Sequence, residues 1–197
     1  MSSDIVVAIT PEGADVPRNR RQEETFRKVL HAGLEMLRET SYADLTVRAV
    51  AARAKVAPAT AYTYFSSKNH LIAEVYLDLI RQAPFFTDVN DSRLDRVQQA
   101  LRSLALVIAD EPEVAVACTT AVLSNDAGVP RVRDRIGAEI HKRIKSALGP
   151  DADPQIVSAL EMTYYGALVH AGSGTLTYHQ VADRMAYVVG LILREES

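Results

Sequence analysis

Thr46-Val47-Arg48-Ala49-Val50-Ala51-Ala52-Arg53-Ala54-Lys55-Val56-Ala57-Pro58-Ala59-Thr60-Ala61-Tyr62-Thr63-Tyr64-Phe65 is the stretch whose reading decides the fold. The Thr46 hydroxyl suits an N-cap, where it accepts from backbone N–H groups of the following turn. Val47, Val50, Ala51 and Ala54 then share one side of a short helix. Lys55-Val56-Ala57 forms a turn, and Pro58 suits the first position of another helix, where a missing N–H costs nothing. Two short helices joined by such a turn have the geometry of a helix-turn-helix. Ala51, Ala54, Ala57 and Ala61 are small enough for the two helices to cross closely. The outer face of the second helix offers Thr60, Tyr62, Thr63 and Tyr64, whose hydroxyl and aromatic groups can reach phosphates, base edges and thymine methyls. Lys68 adds a cation where the next helix begins. The plain alternative is a helical hairpin with a tyrosine-rich edge. Against it stands the spacing Val-x-x-Val-Ala-x-x-Ala, followed by Tyr-x-Tyr-Phe-x-x-Lys.

Upstream, Phe26, Val29, Leu30, Gly33, Leu34 and Leu37 repeat at helical spacing and predict a helix from Asn19 to Glu39. Downstream, Ser66 or Ser67 caps a fourth helix that buries Leu71, Ile72, Val75, Tyr76 and Leu79 and ends before Pro84. Five more helices are expected over residues 92–109, 112–124, 131–148, 153–170 and 177–194, with breaks at 125–130, Gly149-Pro150 and 171–174. No stretch alternates as a strand would. The expectation is an all-α chain of about nine helices. Residues 1–17 form a flexible tail, 18–66 a helix-turn-helix DNA-binding domain, and 67–197 a second helical domain.

The bulk properties agree. The chain is 48% hydrophobic and 24% charged, as ordinary folded proteins are. Its one cysteine, Cys118, excludes an internal disulfide and a cysteine-built zinc site, which suits a reducing cytoplasm. Residues 1–17 carry no basic residue, so they do not read as a secretory signal, and no apolar run is long enough to span a bilayer. The net charge is −3, yet residues 18–81 hold eleven Lys/Arg against seven Asp/Glu. A basic block in an acidic chain is the footprint of one module that meets phosphate.

Enzymatic chemistry finds no support. The five histidines form no H-E-x-x-H pair, and no G-x-S-x-G elbow is present. Ala171-Gly172-Ser173-Gly174 lacks the lysine and preceding strand of a phosphate loop and reads as a helix end. No cofactor or metal is expected. A helical adaptor without DNA binding would lack Tyr62 and Lys68, and both are present.

Residues 20–80 resemble the N-terminal DNA-binding domain of the Tet repressor (TetR) family. Members typically read T-x-x-x-I-A in the second helix and G-V-S-x-G-x-L-Y-x-H-F-x-S-K across the turn and third helix. Here Thr46, Ala51, Val56, Tyr62, Phe65, Ser67 and Lys68 match by position, while Lys55 replaces the turn glycine, Ala61 the leucine and Tyr64 the histidine. The resemblance implies that Thr46, Tyr62 and Lys68 hold the phosphate backbone. It places Arg48, Pro58, Ala59, Thr60, Thr63 and Tyr64 at base edges and neighbouring contacts. Arg18, Arg20 and Arg21 would form a basic arm before the first helix, either entering the minor groove or acting only by salt-sensitive attraction.

The resemblance further implies that residues 67–197 bind a ligand and dimerise, with the last two helices pairing into a four-helix bundle. Two stripes fit that role: Ile156, Leu160, Thr163, Ala167 and His170, and Val181, Met185, Val188, Val189 and Ile192, with Gly166 and Gly190 permitting close approach. Phe85, Phe86, Cys118, Met162, Tyr165 and His170 are the candidate ligand contacts, beside Leu104 and Leu123. The implied protein is a DNA-binding regulator, most commonly a repressor. It would bind a palindromic operator as a homodimer and be released by a small, mainly apolar effector.

Overall fold

The computed structural model describes residues 18–85, 88 and 90–194, so the expected tail and Phe86 lie outside the described residues. Among those described, the structure is all-α, in nine α-helices. They are α1 (Arg20–Glu39), α2 (Val47–Arg53), α3 (Pro58–Tyr64), α4 (Lys68–Gln82), α5 (Arg93–Ala105), α6 (Pro112–Val122), α7 (Val129–Leu148), α8 (Pro154–Gly172) and α9 (Tyr178–Arg194).

Local chemistry sets the boundaries. Asn19 and Gln22 form a reciprocal capping box at the start of α1, with both bonds at 2.9 Å. Thr46 caps α2 by accepting the Ala49 N–H at 3.1 Å, and Ser67 caps α4 by accepting that of His70 at 3.0 Å. Pro58 opens α3, and Thr177 and Gln180 form a second box before α9. Several boundaries differ from the sequence expectation, and α6 ends at Val122, two residues early. α5 stops at Ala105 and tightens into a 3-10 turn over Leu106–Ile108. α7 begins at Val129, two residues early, because Pro130 falls in the first turn, where no N–H is required. α8 continues past His170 to Gly172.

α1, α2 and α3 form a small head. Its core holds Leu37, Leu45, Val50, Ala51, Ala61 and Phe65, with Phe26 stacked on Phe65 at a centroid separation of 5.1 Å. Ala51 and Ala61 are fully buried where α2 crosses α3, so small side chains here are a packing requirement. α4 packs against α1 on one side and against α6 and α7 on another. α5 and α8 both pack on α9 and complete the body.

Lys55, in the turn between α2 and α3, has φ +55°. That left-handed conformation places Cβ against the following carbonyl and costs an L-residue roughly 1–2 kcal/mol. Lys55→Gly removes the clash and adds back some chain entropy. We expect it to stabilise the protein by about 0.5–1 kcal/mol, read as a raised denaturant midpoint at unchanged m-value. An unchanged or lower midpoint would contradict the strain.

Candidate functional site

The helix-turn-helix divides its residues between structure and surface. Arg48, Pro58, Ala59, Thr60, Tyr62 and Thr63 are exposed, and Tyr62 keeps 52% of its surface. The buried Ala61 lies between them and α1, which turns their side of α3 outward. Thr46 is exposed while its hydroxyl caps α2. The Thr63 hydroxyl donates to the Thr60 carbonyl at 2.6 Å.

Five of the expected contacts sit differently. Tyr64 is half-buried, edge-on to Phe26 at 6.1 Å, so its ring serves the α1–α3 packing instead of standing on the outer face. Lys68 is half-buried, with its ammonium donating to the Tyr42 carbonyl at 2.8 Å and the Ala43 carbonyl at 3.4 Å and lying 4.1 Å over the Tyr42 ring. It holds the loop before α2, with one of its three N–H donors left over. Arg20 and Arg21 are exposed in the first turn of α1 and not on an arm preceding it, because Asn19 caps the helix there. Arg18, the one described residue before the cap, folds back with its guanidinium 3.7 Å from the Phe26 ring centroid. Two arginines in the first turn oppose the helix dipole, so a nearby anion would stabilise that end.

The proposed ligand contacts do not converge. Cys118 is buried in the body core, where burial pushes its thiol well above the ordinary value. Met162, Tyr165 and His170 lie exposed on the outside of α8, and Leu123 is exposed as well. Phe85 does line a concavity. A groove of about 610 Å³ runs between the end of α4 and α5, walled by Leu79, Ala83, Phe85, Ala100, Leu106 and Val107. Its volume is within the range that encloses small organic ligands.

The two stripes assigned to dimerisation also need correction. Leu160, Val181, Met185 and Val189 are buried within the chain, which uses that side of α8 and α9 to close its own core. The outward ribbon is instead Met162, Tyr165 and Val169 on α8 with Tyr187 and Leu191 on α9, exposed by between 38% and 68%. A Cβ built on Gly166 or Gly190 would meet nothing within 4 Å.

Around α4 and from the head to the body run several polar contacts missed at sequence level. Glu74, buried on α4, accepts from Arg135 of α7 at 2.6 Å and faces His70. The His70 Nδ1 accepts the Ser66 N–H at 3.1 Å, and Gly128 packs so close that a Cβ there would fall 2.4 Å from that nitrogen. Asn69 donates to Asp126 at 3.1 Å, and Arg38 pairs with Glu111. Deeper, the Tyr76 and Tyr164 hydroxyls meet at 3.1 Å, and burial raises the pKa of both. At the far end of α4, the buried Arg143 donates to the Ile80 carbonyl and to that of Ala83 at 3.2 Å, and its guanidinium lies 5.4 Å from the Phe85 ring. These are carbonyls that the end of a helix leaves without intrahelical partners. The signal for both groups was present in the sequence. Glu74 interrupts an apolar run, and Arg143 falls on the stripe of Ile136, Ile140, Ile144 and Ala147.

Comparison with known proteins bears on this geometry. The sequence profile "Bacterial regulatory proteins, tetR family" matches residues 29–75, from within α1 to within α4. Over 98% of this chain and 94% of the relative, the sequence is 66% identical to an uncharacterized HTH-type transcriptional regulator of Mycobacterium tuberculosis. The chain belongs to the TetR family. It is a DNA-binding transcriptional regulator and not an enzyme. A TetR regulator from Rhodococcus sp. RHA1 shares the fold at TM-score 0.76 and 22% identity, covering 89% of this chain and 98% of that one. Thermus thermophilus FadR, a TetR family repressor in complex with lauroyl-CoA, does so at TM-score 0.63 and 14% identity, covering 83% and 92%.

In this TetR chain the Glu74 contact makes the packing of α4 on α7 sensitive to acid. Burial works to raise the carboxyl, but the facing His70 ring, 3.8 Å away, and the Arg135 guanidinium outweigh it and hold the pKa below the ordinary value. Stability from a depressed folded-state carboxyl is complete above the unfolded value and is lost as pH falls through the folded one. Glu74→Gln is expected to cost on the order of 2 kcal/mol near neutrality and to flatten the acid side of the stability profile. Denaturant titrations across that range measure both effects. A variant whose stability fell as steeply with acid as the wild type would show that Glu74 carries none of this dependence.

Proposed function

We propose that this chain is a repressor that binds a palindromic operator as a homodimer and is released by a small, mainly apolar molecule. The observation carrying the reading is the outward ribbon on α8 and α9. Met162, Tyr165, Val169, Tyr187 and Leu191 flank two glycines with open space above them. A helix pair that presents apolar residues and two positions without a Cβ suits the same pair from a second copy, around a two-fold axis. Two heads related by that axis call for an operator with matching symmetry.

Residues 18–66 are the reading unit, residues 67–197 the effector and dimer unit, and residues 1–17 a tail. Tyr62, Thr46 and Lys68 would position the phosphate backbone, Lys68 through its remaining N–H. Arg48, Pro58, Ala59, Thr60 and Thr63 would face the bases, with Tyr64 supporting them from behind. Arg20 and Arg21 would meet phosphate from the first turn of α1. No described helix is long and apolar enough to cross a membrane, consistent with a cytoplasmic protein acting on DNA.

The groove is the effector site in this reading. It is walled in part by Ala83, whose carbonyl Arg143 holds, and by Phe85, so an occupant shifts the end of α4 and with it the head. Release is then a population shift toward a head spacing that no longer fits the operator. The FadR complex lends the fold a precedent for a ligand with an acyl chain.

The test begins with a duplex selected from random sequence by the purified protein. Wild type is expected to sediment as a dimer and to shift a duplex with two-fold symmetry. Tyr187→Glu with Leu191→Glu should give monomers that fold but lose cooperative binding. Tyr62→Ala should weaken selected and unrelated DNA alike, by about fivefold per protomer, the value of one hydrogen bond. An asymmetric selected sequence, or a double variant that stays dimeric, would sink the two-fold reading. Altered base preference at unchanged affinity in Tyr62→Ala would refute its phosphate role.

A further inference from the structure

We propose that the effector is an anionic amphiphile, with its apolar part in the α4–α5 groove and its acidic head on Arg102. The inference rests on the reading of that groove as the effector site and adds the chemistry of what fills it.

Of the described residues lining the groove, Arg102 alone carries a charge. Each of the other polar side chains already gives a donor to a neighbour within the chain. Gln82 donates its amide to Asp78 at 2.6 Å, Gln99 to Asp91 at 3.1 Å, and the Ser103 hydroxyl to the Pro84 carbonyl. Each of these bonds ties a polar group to the rim and leaves an apolar floor. A guanidinium has five N–H donors, and Arg102 gives one, from Nη1, to Asp183 of α9 at 2.6 Å. The groove is therefore rich in apolar wall and rich in donors at one point. A molecule with an alkyl or ring body and a carboxylate or phosphate end complements both.

Asp183 is the competitor for that position, and it is a weak one. Its side chain is 68% exposed and that of Arg102 45%, so their attraction is screened and little is lost when an incoming acid displaces the aspartate. An acid whose body is already held in the groove meets Arg102 at high effective concentration, as the tethered Asp183 does, and so competes with it on equal terms. Occupancy would then release a tie between α5 and α9, the helix carrying two of the five residues of the outward ribbon.

Decanoate and methyl decanoate test this as probes of equal body and different head, titrated calorimetrically below micelle-forming concentrations into the full-length protein. Wild type is expected to bind the acid about tenfold more tightly than the ester, the scale of one charge-assisted hydrogen bond. Arg102→Gln should bring the acid to the level of the ester and leave the ester within about twofold. Gln99→Trp, at an exposed position on the groove wall, should abolish both. Equal binding of acid and ester, or an Arg102→Gln protein that binds the acid as wild type does, overturns the proposal and leaves the groove standing as an effector site. Absence of binding by either probe, or undiminished binding of both by folded Gln99→Trp, overturns the proposal and the groove together.

Discussion

Helix α4 is buried over seven consecutive residues, Leu71 through Leu77, and that burial is the constraint on which the rest of the structure depends. A helix buried for two full turns must find neighbours on every side. α1 covers one side and α6 and α7 another, so the DNA-facing head and the body share a single beam. The same burial forces the polar groups on α4 to be answered. Glu74 requires Arg135 and His70, Tyr76 requires Tyr164, and the buried carbonyls at the C-terminal end require Arg143. Leaving any of them unpaired would cost on the order of 1–3 kcal/mol.

These obligations make the helix a physical route between two surfaces. At its N-terminal end, Lys68 and Asn69 hold the loop that leads into α2, and His70 is wedged between Ser66 and Gly128. At its C-terminal end, Arg143 grips carbonyls beside the groove. Packed cores have discrete arrangements and deform little, so a displacement at one end is passed on instead of being absorbed. In a TetR regulator that is the relation needed between effector and DNA.

The head was legible in the sequence because its signals are local. A cap at Thr46, a proline at position 58 and alanines at the crossing act over a few residues. The body was legible as helices but not as faces. α8 is apolar nearly all round, so Leu160 and Tyr164 on one side and Met162 and Val169 on the other carry the same weight in a one-dimensional reading. Which side closes the core depends on α9 and α5, and those contacts are long-range. The candidate ligand residues scatter for the same reason: Met162, Tyr165 and His170 carry the same weight as inner residues until α8 is oriented. Tyr64 and Lys68 show a subtler limit. Their types suit DNA, while the structure spends the ring of one on Phe26 and the ammonium of the other on the Tyr42 carbonyl. Burial of Arg143 could have been suspected, since an arginine on an isoleucine stripe must find acceptors inside.

The shared beam is most directly tested by amide hydrogen exchange across α4, in the free protein and on its selected operator duplex. The amides of residues 71–80 are predicted to be among the slowest in the chain and to open as one unit. They should slow further on DNA, although α4 lies behind the reading helix. Protection that rises on α1, α2 and α3 while the α4 amides keep their free-state rates would contradict the account, because head and body would then be moving independently.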